Sequence, residues 1–210
     1  MKALVGLPTL SRSDLLMRNK GFLEAIKPPD MAYIIDNGSQ RIDICVPIER
    51  PGRNLGVAAS WNRLLNIAFL HGDFDILVIL QDDIIWDLEK LAAAKRLVEE
   101  HRDIDLFLSF MLFSVQVHRK ENLSTIGYYD ERFHPAWCED DDYALTMIKR
   151  GRIYHRFRDL DPLPGSIAGG TEKEIPWGEQ RKKLVEKWGM EFGVNDPSAP
   201  YFVTNRNLCL

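Results

Sequence analysis

The chain has 210 residues, 45% of them hydrophobic and 28% charged, a composition that suits one globular α/β domain with a full core. Its formal net charge of −4 offers no basic field, so no nucleic-acid partner is expected. The longest apolar stretch, over residues 106–117, is interrupted by serine and is shorter than the roughly 20 apolar residues that cross a bilayer, so no transmembrane segment is expected.

Residues 3–7 are an apolar run closed by Pro8-Thr9, which predicts a first strand and its turn. Met1 leads straight into that run, with no sign of a signal peptide. Ser11 or Ser13 can cap a helix to about Ile26, where Pro28-Pro29 stops it. Residues 31–35 predict a second strand, closed by the turn signal Asp36-Asn37-Gly38-Ser39, and residues 42–48 a third. Asn54-Leu55-Gly56 opens a helix with apolar spacing through Trp61, Leu64, Leu65 and Ala68. Residues 74–80 predict a fourth strand leading into Asp82-Asp83, and Asp87 caps a helix to about Glu100. Residues 104–118 read as one or two buried strands, 139–150 as a helix ended by Gly151, and 153–157 as a strand. The stretch 161–174 is rich in Pro and Gly and is expected to be a mobile loop, followed by a helix over Trp177–Trp188. Cys45, Cys138 and Cys209 form neither a zinc spacing nor a disulfide framework, and a reducing cytoplasm is the simplest compartment.

Up to Leu80 the elements alternate β-α-β-β-α-β, which predicts a mainly parallel sheet with helices on both faces. In such sheets ligands sit outside the C-terminal strand ends. Pro8-Thr9, Asp36-Asn37 and Asp82-Asp83 therefore converge on one edge. Burying an ionised carboxylate without a partner costs several kcal/mol. Two at the end of an apolar run point to a divalent cation with a diphosphate, and hard oxygen ligands suit Mn2+ or Mg2+. The plainer explanation is that one Asp caps the next helix and the other pairs with a Lys or Arg. Asp36 is a β-turn residue or an acceptor for a base N–H. Gly56 at a helix start permits close backbone approach, the helix N-terminus favours phosphate and Arg53 adds charge, unless this is an ordinary capped helix. In Glu139-Asp140-Asp141-Asp142 four consecutive acids repel one another unless solvated or bound to a cation, and one could serve as a general base. His155 stands alone.

In this order, four blocks over roughly residues 4–151 resemble a family 2-like glycosyltransferase of GT-A fold. They are Ile34-Ile35-Asp36-Asn37-Gly38-Ser39; Asn54-x-Gly56 with Asn62; Leu80-Gln81-Asp82-Asp83, like the Asp-x-Asp metal motif; and Gly127-x-x-Asp130-Glu131-x-Phe133 followed by Glu139-Asp140-x-Asp142-Tyr143 and Gly151. The resemblance implies a three-layer α/β/α sandwich with a mostly parallel central sheet. No linker divides the chain, so one domain over 1–210 is expected, with a nucleotide-binding half at 1–110 and an acceptor-side half at 111–210. The implied activity is metal-dependent, inverting transfer of a sugar from a nucleotide sugar, most simply a UDP-sugar, to a hydroxyl of a carbohydrate or glycan acceptor.

By the same resemblance, Pro8, Thr9 and Asp36 would hold the nucleotide base, and Arg53, Asn54 and Asn62 would lie around the nucleotide. Asp83 would ligate Mn2+ or Mg2+, Asp82 would lie by the ribose or donor sugar, and Asp140 would be the catalytic base. Gln81 departs from the first Asp place of the metal motif, and Thr146 stands where the family often has Arg. A third metal ligand is not evident, with 166–171 and His155 the places to look. Lys187-Trp188-Gly189 resembles a segment of short bacterial and viral members. Two rivals are a nucleotidyltransferase that makes nucleotide sugars and a catalytically inactive sugar-binding module. The first needs a Gly-rich loop after strand one, where this chain has Pro8-Thr9-Leu10-Ser11-Arg12; the intact Glu139-Asp140 pair stands against the second.

Overall fold

The described residues form seven strands: β1 (Ala3–Thr9), β2 (Met31–Asp36), β3 (Ile48–Glu49), β4 (Ile76–Leu80), β5 (Leu106–Ser109), β6 (Leu112–Arg119) and β7 (Tyr154–Arg156). The computed structural model describes residues 1–10, 12–38, 43–110, 112–166 and 177–189. The strands make one sheet of order β3-β2-β1-β4-β6-β5-β7. β6 runs antiparallel to β4 and β5, and all other pairings are parallel. β4 lies at the centre and all five of its residues are buried, as an apolar strand covered on both faces must be.

Side chains alternate across the sheet with a period of two, which divides the core into two layers. On one face Val5, Leu7, Val78, Leu80 and Val117 pack under α1 (Ser13–Arg18), α2 (Lys20–Ala25) and α4 (Leu88–Glu100) through Leu16, Leu23, Leu91 and Leu97. On the other, Leu4, Ile35, Leu77, Ile79 and Leu106 meet α3 (Val57–Asn66) and α6 (Glu139–Lys149) through Trp61, Leu64, Leu65, Tyr143 and Met147. The result is a three-layer α/β/α sandwich around a mostly parallel sheet. Each of these large side chains contributes about 1.5–3 kcal/mol by leaving water.

Three elements differ from the sequence expectation. The single helix proposed up to Ile26 is interrupted at Asn19, between α1 and α2. The buried Asn19 amide donates to Ile84 O (2.5 Å) and accepts from Trp86 N (3.2 Å), tying the break to the segment that leaves β4. Ser11, one proposed cap, lies outside the described residues; the cap position is Arg12, whose side chain makes no cap bond. The third strand is only Ile48–Glu49, paired with Ile34 and Ile35; residues 39–42, where it was expected to begin, are outside the described set. α3 runs on through a π-helical turn over Ile67–His71. The Asp87 cap is present, its Oδ1 accepting from Lys90 N (2.9 Å), and α7 spans Trp177–Trp188. A short helix α5 (Asn122–Thr125) follows β6. Among the described residues no helix is long and apolar enough to cross a membrane.

Candidate active site

Parallel pairing brings the ends of β1, β2 and β4 side by side. Thr9 lies opposite Asp36 in the β1–β2 ladder, and Asn37 N donates to Thr9 O (2.8 Å). On the other side, Thr9 Oγ1 donates to Asp82 Oδ2 (2.8 Å). Three segments far apart in sequence thus meet at one edge. Pro8 is tolerated inside a central strand because the β1–β4 ladder ends at Gly6–Ile79, before a missing N–H would matter.

Asp36 is only 2% exposed; its Oδ1 accepts from Gly38 N (3.2 Å) and its Oδ2 from Arg50 Nε (3.1 Å). Arg50 was not among the residues picked from the sequence. It follows β3 directly, and only the β2–β3 pairing puts it beside Asp36. Arg53, the cation that was picked, is exposed and forms no hydrogen bond or ion pair with the described residues.

The Asn37-Gly38 pair is more than a turn. Asn37 Nδ2 donates to Ser60 Oγ (2.9 Å) and its Oδ1 accepts from Leu55 N (3.0 Å), which staples the end of β2 to the start of α3. Asn54 Oδ1 accepts from Gly56 N (2.8 Å). Gly56 has φ +80°, and a Cβ there would stand 2.8 Å from both Pro135 O and His134 Cδ2. The close approach it permits is therefore made by the chain itself: Val57 N donates to Pro135 O (2.8 Å), in the place proposed for phosphate. Asn62 also turns inward. It accepts from Tyr129 N (2.8 Å) and donates to Tyr129 O and Glu131 Oε1 (both 2.9 Å), fixing the segment before α6 to α3.

Beyond β4, Gln81 N donates to Ser114 O (3.0 Å) and Ile84 N to Gln81 O (3.2 Å), a turn that carries the two acids. Asp87, not Asp82 or Asp83, caps α4, which removes the capping explanation for the pair. Burial first, then the Asp83 carboxylate, pushes the half-buried Asp82 up to about 6, against the Thr9 hydroxyl and the Arg12 guanidinium, which lower it. Asp83 is 7% exposed. The described residues contain no group of three or more His, Cys, Asp or Glu that could hold a metal, so this pair of hard oxygen donors is what they offer. His155, a place to look for a third ligand, stands on β7, three strands from β4 or about 14 Å at normal strand spacing, and its ring packs on Phe157 (4.9 Å between centroids). Leu163 N donates to Ile85 O (3.0 Å), and Ser166 Oγ accepts from Ile85 N (2.9 Å), just past Asp83. The rest of the expected loop, 167–174, lies outside the described residues.

α6 runs back along the sheet into β7, so its first turn lies at the same edge. Trp137 (φ 82°) and Cys138 (φ 67°) lead into it in the left-handed region, a conformation that costs a non-glycine residue about 1–3 kcal/mol. The four acids divide. Asp142, 2% exposed, accepts from Lys187 Nζ (2.8 Å) and Trp188 Nε1 (2.8 Å) of α7, and Lys187 also reaches Asp130 Oδ2 (2.8 Å). The other three keep raised pKa values. Burial, then Asp140, holds Glu139 well above the carboxylate range; burial, then Asp140 and Asp142, does the same to Asp141; burial raises Asp140. Asp140 is half-buried and accepts from Asp141 N (2.9 Å).

No protein-family model matches the sequence, and no curated protein does. Solved structures match in fold. The mannosyltransferase PcManGT from Pyrobaculum calidifontis, solved with GDP-Man and Mn2+, is 14% identical with a TM-score of 0.59 over 96% of this chain and 67% of that one. Glucosyl-3-phosphoglycerate synthase from Mycobacterium tuberculosis, solved with Mn2+, UDP-Glc and phosphoglyceric acid, is 13% identical with a TM-score of 0.64 over 91% and 81%. S. aureus TarS is 13% identical with a TM-score of 0.56, and the chain spans 92% of itself but only 44% of TarS. The chain has the GT-A glycosyltransferase fold.

Proposed function

We propose that the protein is a metal-dependent, inverting glycosyltransferase that uses a nucleotide-sugar donor, a UDP-sugar first. The observation that carries this reading is the Thr9–Asp82 hydrogen bond together with the Thr9–Asp36 pairing, which gathers three polar strand ends at one edge of a GT-A sheet. The neighbours solved with GDP-Man or UDP-Glc and Mn2+ support it. The residues fit a divalent cation: two adjacent, largely buried carboxylates, one raised to about 6 by burial and by the other, favour a positive charge between them. Asp83 would hold the ion, with Asp82 beside it toward the ribose or donor sugar. Bound there, the ion supplies charge neutralisation for the departing nucleoside diphosphate.

The chain's own groups do the rest. Asp36, with Pro8 and Thr9, accepts from a base N–H. Arg50 orients Asp36 through its hydrogen bond to Oδ2, and Arg53 is an exposed cation with no partner among the described residues, available to phosphate. Asn54 shapes the loop by which α3 meets the nucleotide side. The Asp140 carboxylate takes the proton from the acceptor hydroxyl as that oxygen bonds to the sugar C1 and the C1–phosphate oxygen bond breaks. Its raised pKa makes it a stronger base than an exposed aspartate. Release of nucleoside diphosphate from a panel of UDP- and GDP-sugars, with Mn2+ and with chelator, tests the reading. A Mn2+-dependent release from one donor is expected. Pyrophosphate release from UTP and a sugar phosphate instead would establish a nucleotidyltransferase, and UDP binding without turnover of any donor an inactive module.

A further inference from the structure

At the same sheet edge, beyond β6, Phe110 follows β5 while Arg156 ends β7 and Arg158 follows two residues later. The Arg158 guanidinium lies 4.7 Å from the Phe110 ring centroid and that of Arg156 lies 5.6 Å from it. Two cations share one ring, which is held in place by Asp161 Oδ1 accepting from Phe110 N (2.7 Å). Arg158 is exposed and forms no ion pair with the described residues; Asp161 is engaged by the Phe110 amide. Arg156 is 8% exposed. The other basic groove, a space of about 550 Å3 between α7 and the segment before α6, differs. There Lys187 is bound to Asp130 and Asp142, Arg132 to Asp130, and Lys183 to the Arg132 carbonyl.

Resting on the transferase reading above, we propose that the acceptor carries a phosphate, and that Arg158 and Arg156, stacked on Phe110, bind it. Guanidinium groups take phosphate oxygens in bidentate fashion, and stacking on an aromatic ring fixes their planes. β7, which ends in Arg156 and leads to Arg158, lies three strands from β4, about 14 Å at normal strand spacing, a gap that a sugar or polyol phosphate and an Arg side chain span together. The acceptor hydroxyl then faces Asp140 while its phosphate is held away from the acids.

Calorimetric titration of the full chain with glycerol 3-phosphate, with glycerol, and with vesicles of phosphatidylglycerol or phosphatidylcholine tests this. A phosphate-bearing ligand is expected to bind where its neutral or zwitterionic counterpart does not, with Arg158→Gln weakening it about tenfold or more and Phe110→Ala also weakening it. Binding of the ester identifies a soluble acceptor, and binding of phosphatidylglycerol alone a lipid-linked one. No binding of either phosphate, or binding unchanged in Arg158→Gln, overturns the proposal. Arg158 is exposed, so its replacement leaves the melting temperature unchanged. Titration with UDP and Mn2+ in parallel reads the transferase proposal separately: if UDP fails to bind while phosphate still binds through Arg158, that reading falls and the anion site stands.

Discussion

Asp83 and Asp140 are assigned different tasks, and substitution separates them. Asp83→Ala should abolish the Mn2+-dependent part of UDP binding, because its neighbour alone cannot replace an anionic ligand; unchanged calorimetric affinity with Mn2+ would sink the metal assignment. Asp140→Asn should keep UDP and Mn2+ affinity while cutting transfer by about 100-fold or more, the scale of losing a general base. Full turnover in that variant would move the base to Asp141 or Glu139. A third residue governs acid stability. His118 is fully buried in β6, beside Gln116 Oε1 (3.1 Å) and Tyr129 OH (3.2 Å), and burial lowers its pKa to about 3. The folded chain keeps it neutral while the unfolded chain protonates it near 6.5. Its stabilising contribution is thus complete above about 6.5 and is lost as pH falls toward 3, at up to about 1.4 kcal/mol per pH unit. Urea unfolding at pH 7 and pH 5 should show a shallower loss in His118→Gln than in the parent. An equal slope would assign the acid sensitivity to other groups.

At the scale of elements, the periodic signals were legible and the long-range ones were not. The apolar run of β4 with its terminal acids, the Asp87 cap and the bounds of α7 follow from local chemistry. The break at Asn19 does not, because its cause is a pair of hydrogen bonds to Ile84 and Trp86, more than sixty positions away. Ile44 and Val46 looked like strand residues, yet they pack against the core as partly buried side chains outside any strand. Arg50 was passed over for Arg53 because only strand register distinguishes them. The resemblance placed Asn62 around the nucleotide, whereas its bonds to Tyr129 and Glu131 join segments more than sixty positions apart, which no local pattern announces. The acid run was ambiguous because Lys187 and Trp188, which donate to Asp142, lie on the last described helix. Two substitutions probe these joints. Gly56→Ala adds a Cβ in a positive-φ position 2.8 Å from the Pro135 carbonyl, and should cost at least about 1–3 kcal/mol by chemical denaturation. Lys187→Met leaves Asp142 buried with the Trp188 indole as its remaining side-chain donor among the described residues; a loss of about 1–3 kcal/mol is expected, less than for a fully buried pair because Lys187 is 27% exposed. A neutral result would show that the clasp adds no stability.

For the whole molecule, the candidate donor site is a junction rather than a pocket in one element. β1, β2 and β4 end there, α3 begins beside it through Asn37, and segment 163–166 closes on Ile85. Any ligand that bridges these ends binds only the folded chain, so it should raise the stability of the entire sandwich by mass action. At a free concentration of 100 times Kd the gain is about 2.7 kcal/mol. For a domain of this size about 1 kcal/mol moves the melting temperature by about 2–4 °C, so UDP with Mn2+ should raise it by about 5–10 °C. The two anchors should then separate. Asp83→Ala should remove the part of the shift that depends on Mn2+ while leaving the residual shift from UDP alone. Asp36→Ala should reduce the shift with and without Mn2+, because the base contact does not pass through the ion. Equal loss of both parts in both variants would mean that the strand ends act as one unit, and would contradict separate base and metal roles.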